Sequence, residues 1–320
     1  MFRLAAFLGL AGLAAATAVI VWSGWGLVLQ ALEQAGWGIV WVALFHCVPL
    51  VVSSAGWRVL VSGKRPSLLQ FTYFMWVRAA VNNLMPVARI GGEIACVRLM
   101  TASGMRKSTA IAVTVVELTL SIAAVFLFVA LGVLLFALRV SDKNFVTQLA
   151  WGLAFSAPLL LALAAVQKIG FFGLMSRLFR VMFRDKWATS ASDAARLDRA
   201  VATVYRRKGK VLICALLQFI AWGLGSVEIW LALKFLGHPL PMAEAVMIEA
   251  LIEGSASAAF AIPGALGVQE AGFLVFGGML GLPHETAAAL AVIRRCRDLI
   301  CYAPGLIAWQ AHEGKRLMRS

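Results

Sequence analysis

The chain has 320 residues, of which 62% are hydrophobic and only 14% charged, against roughly 25% charged in soluble domains. This composition cannot cover a water-facing surface, so soluble globular domains are excluded and one integral membrane domain, 1–320, is predicted. Lys and Arg number 29 and Asp and Glu 15, a net +14 that must be concentrated somewhere.

A helix crossing about 30 Å of hydrocarbon needs around 20 apolar residues. Six such runs occur, at about 4–25, 37–61, 108–138, 146–166, 211–236 and 286–310. The first has Arg3 ahead of it and resembles a signal peptide, but its apolar stretch exceeds an h-region and more spans follow, so it reads as an uncleaved anchor. Between the second and third runs lies FTYFMWVRAAVNNLMPVARIGGEIACVRLM (71–100). Between the fifth and sixth lies AEAVMIEALIEGSASAAFAIPGALGVQEAGFLVFGGML (243–280). Each carries charges, Pro and Gly where a simple span would not, and reads as helix, break, helix. An unpaired amide is costly in hydrocarbon, so such breaks persist only where protein or a wet cavity serves them. Both stretches are predicted to be broken or re-entrant hairpins facing the protein interior. Pro49 in the second run reads as a tolerated kink.

Lys and Arg beside span ends are retained in the cytoplasm. Arg58, Lys64 and Arg65, then Arg98, Arg106 and Lys107, and finally Lys315, Arg316 and Arg319 mark inside loops. The stretch 168–210 holds eleven Lys or Arg against Asp185, Asp193 and Asp198, over half of the net charge. Within it Phe171, Leu174, Met175, Leu178 and Met182 recur at helical spacing opposite Arg177, Arg180 and Arg184, a basic amphipathic segment suited to the headgroup layer. It serves as a positive-inside loop or as a contact for anionic lipid. Loops near 26–36 and 237–242 have no Lys or Arg and read as outside, which puts both termini in the cytoplasm.

The two hairpins superpose with an offset of 177 and no gaps. Pro86/Pro263, Ala88/Ala265, Glu93/Glu270 and Gly104/Gly281 match, and the match runs on through Thr109/Thr286, Ala110/Ala287, Ala112/Ala289 and Val115/Val292. Three spans separate the hairpins, an odd number, so the repeat is predicted to be inverted, with repeat one at about 1–140 and repeat two at about 146–310. The fold class is all-α: a polytopic membrane protein of about six transmembrane helices plus two hairpins in an inverted repeat. Transporters of this build hold substrate near the midplane, where half-helix ends face the ligand. The second half-helices start near Gly91 and Gly267, whose amides could receive a phosphate or carboxylate.

Twelve charges fall at membrane depth: Arg78, Arg89, Glu93, Glu117, Glu228, Glu249, Glu253, Glu270, Arg294, Arg295, Arg297 and Asp298. Insertion scales assign about 2.5 to 3.5 kcal/mol to each one unpaired at a helix centre, so they must pair or line a wet cavity. Glu249 and Glu253 share a helical face, as do Arg294 and Asp298. The offset brings Glu117 onto Arg294, opposite charges suited to a central ion pair or a shared headgroup clamp. Each has a structural alternative. Buried pairs can simply hold discontinuous helices together, Glu93 and Glu270 can cap their own helices, and Asn82 and Asn83 can satisfy amides freed by the break. Gly277 and Gly281 form a G-x-x-x-G that reads as close helix packing.

Cys47, Cys96, Cys214, Cys296 and Cys301 make no metal or redox spacing, and His46, His238, His284 and His312 are scattered. No cofactor or metal is implied, no nucleophile motif appears, and the charge is not interleaved with aromatics as in nucleic-acid binders.

The hairpin segments RAAVNNLMPVARIGGEIACVRL (78–99) and IPGALGVQE (262–270) resemble the flippase-like transmembrane region of lysylphosphatidylglycerol synthases, also called multiple peptide resistance factors. The chain is also similar to stand-alone hopanoid-biosynthesis-associated membrane proteins. The resemblance implies a bacterial inner-membrane protein that moves a phospholipid, aminoacyl-lipid or hopanoid/polyprenyl-type lipid between leaflets. It carries motif roles to Arg78, Asn83, Pro86, Gly91, Gly92, Glu93 and Arg98, and to Pro263, Gly264, Gly267 and Glu270. Only ten residues follow the sixth run, so no aminoacyl-transferase domain is expected and synthase activity is not carried over. The candidate substrate-binding set is Arg78, Asn82, Asn83, Pro86, Arg89, Gly91, Gly92, Glu93, Glu117, Glu249, Glu253, Pro263, Gly264, Gly267, Glu270, Arg294, Arg297 and Asp298, with no catalytic residue. The expected partner is a membrane lipid with an anionic headgroup, alongside a lipid-biosynthesis enzyme. Alternatives are a secondary transporter of a small anion and a membrane partner of a lipid-modifying enzyme.

Overall fold

Proline has no N–H, so a helix that reaches Pro49 loses its bond to the carbonyl of Phe45. The chain runs accordingly as α1 (Gly38–Phe45), a turn at His46, and α2 (Cys47–Leu60). The computed structural model describes residues 33–63, 66–85, 91–140, 143–169, 191–259 and 267–317, together with Gly26, Gln30 and Ala265. Among them every regular element is an α-helix. The run expected at 4–25 and the amphipathic positions from Phe171 to Arg184 lie outside the described residues.

After α2 come α3 (Leu68–Leu84) and α4 (Gly91–Ala102), the two halves of the first expected hairpin. Ser67 starts α3 with a capping box: its hydroxyl accepts from the Gln70 amide, and Gln70 Oε1 accepts from the Ser67 amide. Then follow α5 (Lys107–Arg139), α6 (Lys143–Ile169), α7 (Ala191–Tyr205) and α8 (Lys208–Phe235). The second expected hairpin is α9 (Met242–Ala258) and α10 (Val268–Met279), and α11 (His284–Leu317) closes the chain. The stretches 38–60, 107–139, 144–162 and 208–235 are long and apolar enough to cross a membrane. Helix α11 has the length, with 34 residues, but carries the charges from Arg294 to Asp298. At 1.5 Å per residue the twelve-residue α4 and α10 reach about 18 Å, short of a hydrocarbon core of about 30 Å.

Helices α3 and α4 pack on each other, as do α9 and α10. The hairpin α3–α4 is antiparallel, since Phe74 meets Cys96, Arg78 meets Glu93 and Asn82 meets Gly92. Helix α4 begins at Gly91 and α10 at Val268, and α5 begins at Lys107 and α11 at His284, each pair 177 residues apart.

Burial divides into two apolar cores. One gathers Trp57, Phe71, Phe74, Met100 and Val113 from α2 to α5, with Val201 of α7 and Cys214 of α8. The other gathers Phe136, Leu233, Ile248, Phe273 and Leu290 from α5 and α8 to α11. Helices α5 and α8 pack on each other and contribute to both cores, so they form the frame on which the hairpins hang. Gly132 permits the closest approach in this frame: a Cβ there would lie 2.2 Å from Cβ of Ala250 on α9. Helix α6 touches α5 and α7 at the periphery, where Phe145, Val146 and Leu149 are half-buried against the second core and no described residue of its apolar window is fully buried. Helix α7 buries Ala194, Val201 and Val204 beside α5, as an amphipathic helix should.

Candidate functional site

Charges buried in an apolar core are tolerated when they are paired and hydrogen-bonded. Eleven of the twelve expected at membrane depth are described, and all eleven form ion pairs, in two clusters. Arg89 lies outside the described residues, as do Pro86, Pro263 and Gly264.

The first cluster centres on Arg78 of α3. Its Nε donates to Glu93 Oε1 of α4 at 2.7 Å and its Nη1 to Glu117 Oε2 of α5 at 2.5 Å. The other Glu117 oxygen accepts from Gln218 Nε2 of α8 at 2.9 Å, and Gln218 Oε1 accepts from the Ser53 hydroxyl of α2 at 2.7 Å. The guanidinium lies 5.3 Å from the ring centroid of Trp57, a cation–π contact that covers its face. Gly92 allows this closeness: a Cβ there would stand 2.5 Å from the Arg78 carbonyl oxygen and 2.6 Å from Asn82 Oδ1.

The second cluster is built on α11. Arg294 donates to Glu249 at 2.5 Å and also to Glu253, one turn further along α9. Gly225 of α8 makes room for the Glu249 carboxylate, since a Cβ would come 2.6 Å from its Oε1. Arg297 donates to Glu228 of α8 and to Asp298. Arg295 Nε donates to Glu270 Oε1 of α10 at 2.6 Å. His46, at the turn between α1 and α2, completes the group: Nδ1 lies 2.9 Å from Glu228 Oε1 and Nε2 lies 2.6 Å from the Tyr302 hydroxyl.

One expectation is corrected. Glu117 and Arg294 do not pair with one another; each finds its opposite charge within its own half, with the signs exchanged between halves. Long helices α5 and α11 present Glu117 and Arg294, and the hairpins answer with Arg78 on α3 and Glu249 and Glu253 on α9. At each half-helix start one amide already has a partner within the chain. The Gly92 N–H donates to Asn82 Oδ1, and the Gly267 N–H donates to Glu270 Oε2 at 2.8 Å. Asn82 and Glu270 therefore cap helices, with Glu270 also holding Arg295, whereas Glu93 turns to Arg78. Gly267 has φ +80, a backbone open to glycine at no cost. Asn83 stands apart, its amide on the Ala79 carbonyl at the exposed side of α3, and Gly91 is half-buried at the start of α4.

Glu228 and Arg295, legible only as charges at depth, belong to the second cluster. His46, Tyr302, Gln218, Ser53 and Trp57 carried no motif. The one signal was a lone polar group inside an apolar run, as at His46 and Gln218. Among the described charges of the clusters four guanidiniums face seven carboxylates, and Arg294 Nε has no partner.

Beside the second cluster an apolar groove of about 710 Å³ runs between α1–α2, α3 and α11, lined by Ala43, Leu44, Cys47, Trp76, Ile300 and Cys301. Its rim is exposed at Leu44 and Ile300, and Cys47 and Cys301 adjoin His46 and Tyr302 in sequence. Trp76 Nε1 donates to the Cys301 carbonyl at 2.5 Å, so these two polar groups of its lining are engaged with each other.

A family model described as lysylphosphatidylglycerol synthase TM region matches residues 9–305. No curated protein and no solved structure matches.

Proposed function

This chain belongs to the lysylphosphatidylglycerol synthase transmembrane-region family, and from that premise we propose that it translocates a lipid between the leaflets of the bacterial inner membrane. The observation that carries this reading is the lateral apolar groove lying next to a buried cluster of ion pairs. An amphiphile needs both: a path for its tail that stays in hydrocarbon and polar groups that replace water around its head. The head exchanges with the cluster. Its phosphate takes the place of one of the two carboxylates on Arg294 and uses the unfilled Nε donor. The displaced carboxylate then accepts a proton or the amine of a zwitterionic head.

The topology that serves this is the inverted repeat, with six crossings, two re-entrant hairpins and both termini cytoplasmic. Its support is the common offset of 177 in sequence and in the starts of α4 and α10 and of α5 and α11. Phospholipid, aminoacyl-lipid and hopanoid or polyprenyl-type lipid are the candidate substrates. A transporter of a small anion fits less well, because an apolar groove with an exposed rim suits a lipid tail and offers nothing to a small hydrated anion. A membrane partner of a lipid-modifying enzyme would use the same lipid site without moving the lipid.

The test is exchange of labelled lipids in liposomes holding the purified chain. Labelled phospholipid should move between leaflets, and Arg294→Lys, which keeps the charge but loses the planar fork, should slow it by about tenfold. Lipid binding without movement would support the partner reading, and a rate unchanged by Arg294→Lys would remove Arg294 from the site.

A further inference from the structure

The groove beside the second cluster is long and narrow. Val40, near the start of α1, lines one end, and Leu69, the second residue of α3, lines the other. Helix α3 starts where α2 stops and runs back along it, with the Phe71 ring packed on Trp57 at 5.8 Å between centroids. The lining therefore follows the α1–α2 stretch from Val40 to the level of Leu60, about 20 residues, or about 30 Å at 1.5 Å per residue. A volume of about 710 Å³ spread over that length leaves a mean section of about 24 Å². A hydrocarbon chain whose carbons keep their neighbours about 4 Å away needs about 16 to 20 Å², so one chain fits and two abreast do not. Polar groups along the wall are turned onto the protein itself. Thr72 donates to the Leu68 carbonyl, Gln70 caps α3 with Ser67, and the Cys301 thiol donates to the Ala43 carbonyl at 3.4 Å.

Helix α11 follows the groove in the same direction as α1–α2: Cys301 meets Ala43, Tyr302 meets His46, and a Cβ on Gly305 would lie 3.0 Å from the Trp76 ring. Arg297 and Arg294, one and two turns before Cys301, therefore stand level with the Val40 end. We propose that the groove takes one long single-chain lipid, an isoprenoid phosphate of about six units, with its head at the second cluster and its chain running to Leu69. Phospholipid tails have the wrong proportions, since they come in pairs and each reaches across only about half of a 30 Å hydrocarbon core. An isoprene unit adds four main-chain bonds, or about 5 Å, so six units match the groove from end to end. The section left over beyond a bare chain accommodates the methyl branches. Leu69 is exposed, so a longer chain passes out into the bilayer at that end. The place of the head at Arg294 rests on the function proposed above; the single-chain fit of the groove does not.

The test is a molecular ruler on the full chain in liposomes. Isoprenoid monophosphates of three and of six units, each with a diazirine at the chain end, are photo-cross-linked and the labelled residues mapped. The three-unit probe should label the middle of the groove, at Cys47 to Leu50 and Trp76, and the six-unit probe its far end, at Leu69 to Thr72. Unlabelled six-unit phosphate should displace the six-unit probe at about a tenth of the concentration required of a two-tailed phosphatidic acid. Thr72→Trp fills the far half and should abolish six-unit labelling there while the three-unit pattern persists, which also reports that the variant has folded. Should Thr72→Trp fail to fold, Leu69→Trp at the exposed end serves in its place. Identical labelling by both probes, labelling outside the groove, or equal competition by phosphatidic acid overturns the single-chain ligand. If labelled phospholipid still moves between leaflets alongside that result, the translocation reading stands without it. The ruler pattern with no leaflet exchange of any lipid keeps the ligand and defeats translocation.

Discussion

Arg78 holds two carboxylates from two helices, and that arithmetic decides what its loss does. Arg78→Ala leaves Glu93 and Glu117 buried without a counter-charge, a change of about 3 to 5 kcal/mol in comparable buried pairs. Thermal melting should fall accordingly, and adding Glu117→Gln should recover part of the loss, because the neutral amide no longer needs the guanidinium. A double-mutant cycle reads the coupling directly, and additive losses would show that the pair contributes nothing. Gly92→Ala should destabilise by about 1 to 3 kcal/mol, since its methyl meets the backbone oxygen of Arg78. Gly278→Ala, with open space around it, is the control. The charges themselves were legible from sequence, because each stands out in an apolar run and the bilayer demands a partner. The identity of the partner was not. His46 meets Glu228 across 182 residues and Tyr302 across 256, and no local pattern encodes such pairings.

The helix breaks were legible, because proline and glycine act on the backbone within a few residues of themselves. The hairpins expected at 71–100 and 243–280 appear as α3–α4 and α9–α10, and the kink expected at Pro49 separates α1 from α2. What local chemistry does not carry is how near two helices come. Gly132 on α5 is one glycine in an apolar span, yet it seats Ala250 of α9 where even a methyl group would overlap. Gly132→Ala should therefore lower the melting temperature, and Ala250→Gly should rescue part of that loss in the double variant. Rescue by Ala250→Gly is specific to this contact; equal destabilisation with and without it would mean that α5 and α9 adjust by sliding.

The composition required a membrane domain before any residue was placed, and the offset of 177 located matching helices in both halves. The internal arrangement came from packing: two apolar cores at the two ends of α5 and α8, each with its own charge cluster. If the halves are inverted, Gly63→Cys after α2 and His238→Cys after α8, placed singly in a cysteine-free background, should react with an impermeant thiol reagent from opposite sides of inverted and right-side-out vesicles. Labelling of both from one side would defeat the inversion. Helix α8 also ties the two clusters to one another. It carries Gln218, bound to Glu117 in the first cluster, and Glu228, bound to Arg297 in the second, ten residues or about 15 Å apart on one rod. A rigid rod cannot slide at one end only. Any stroke of α8 along its axis would reach both clusters together and by the same distance.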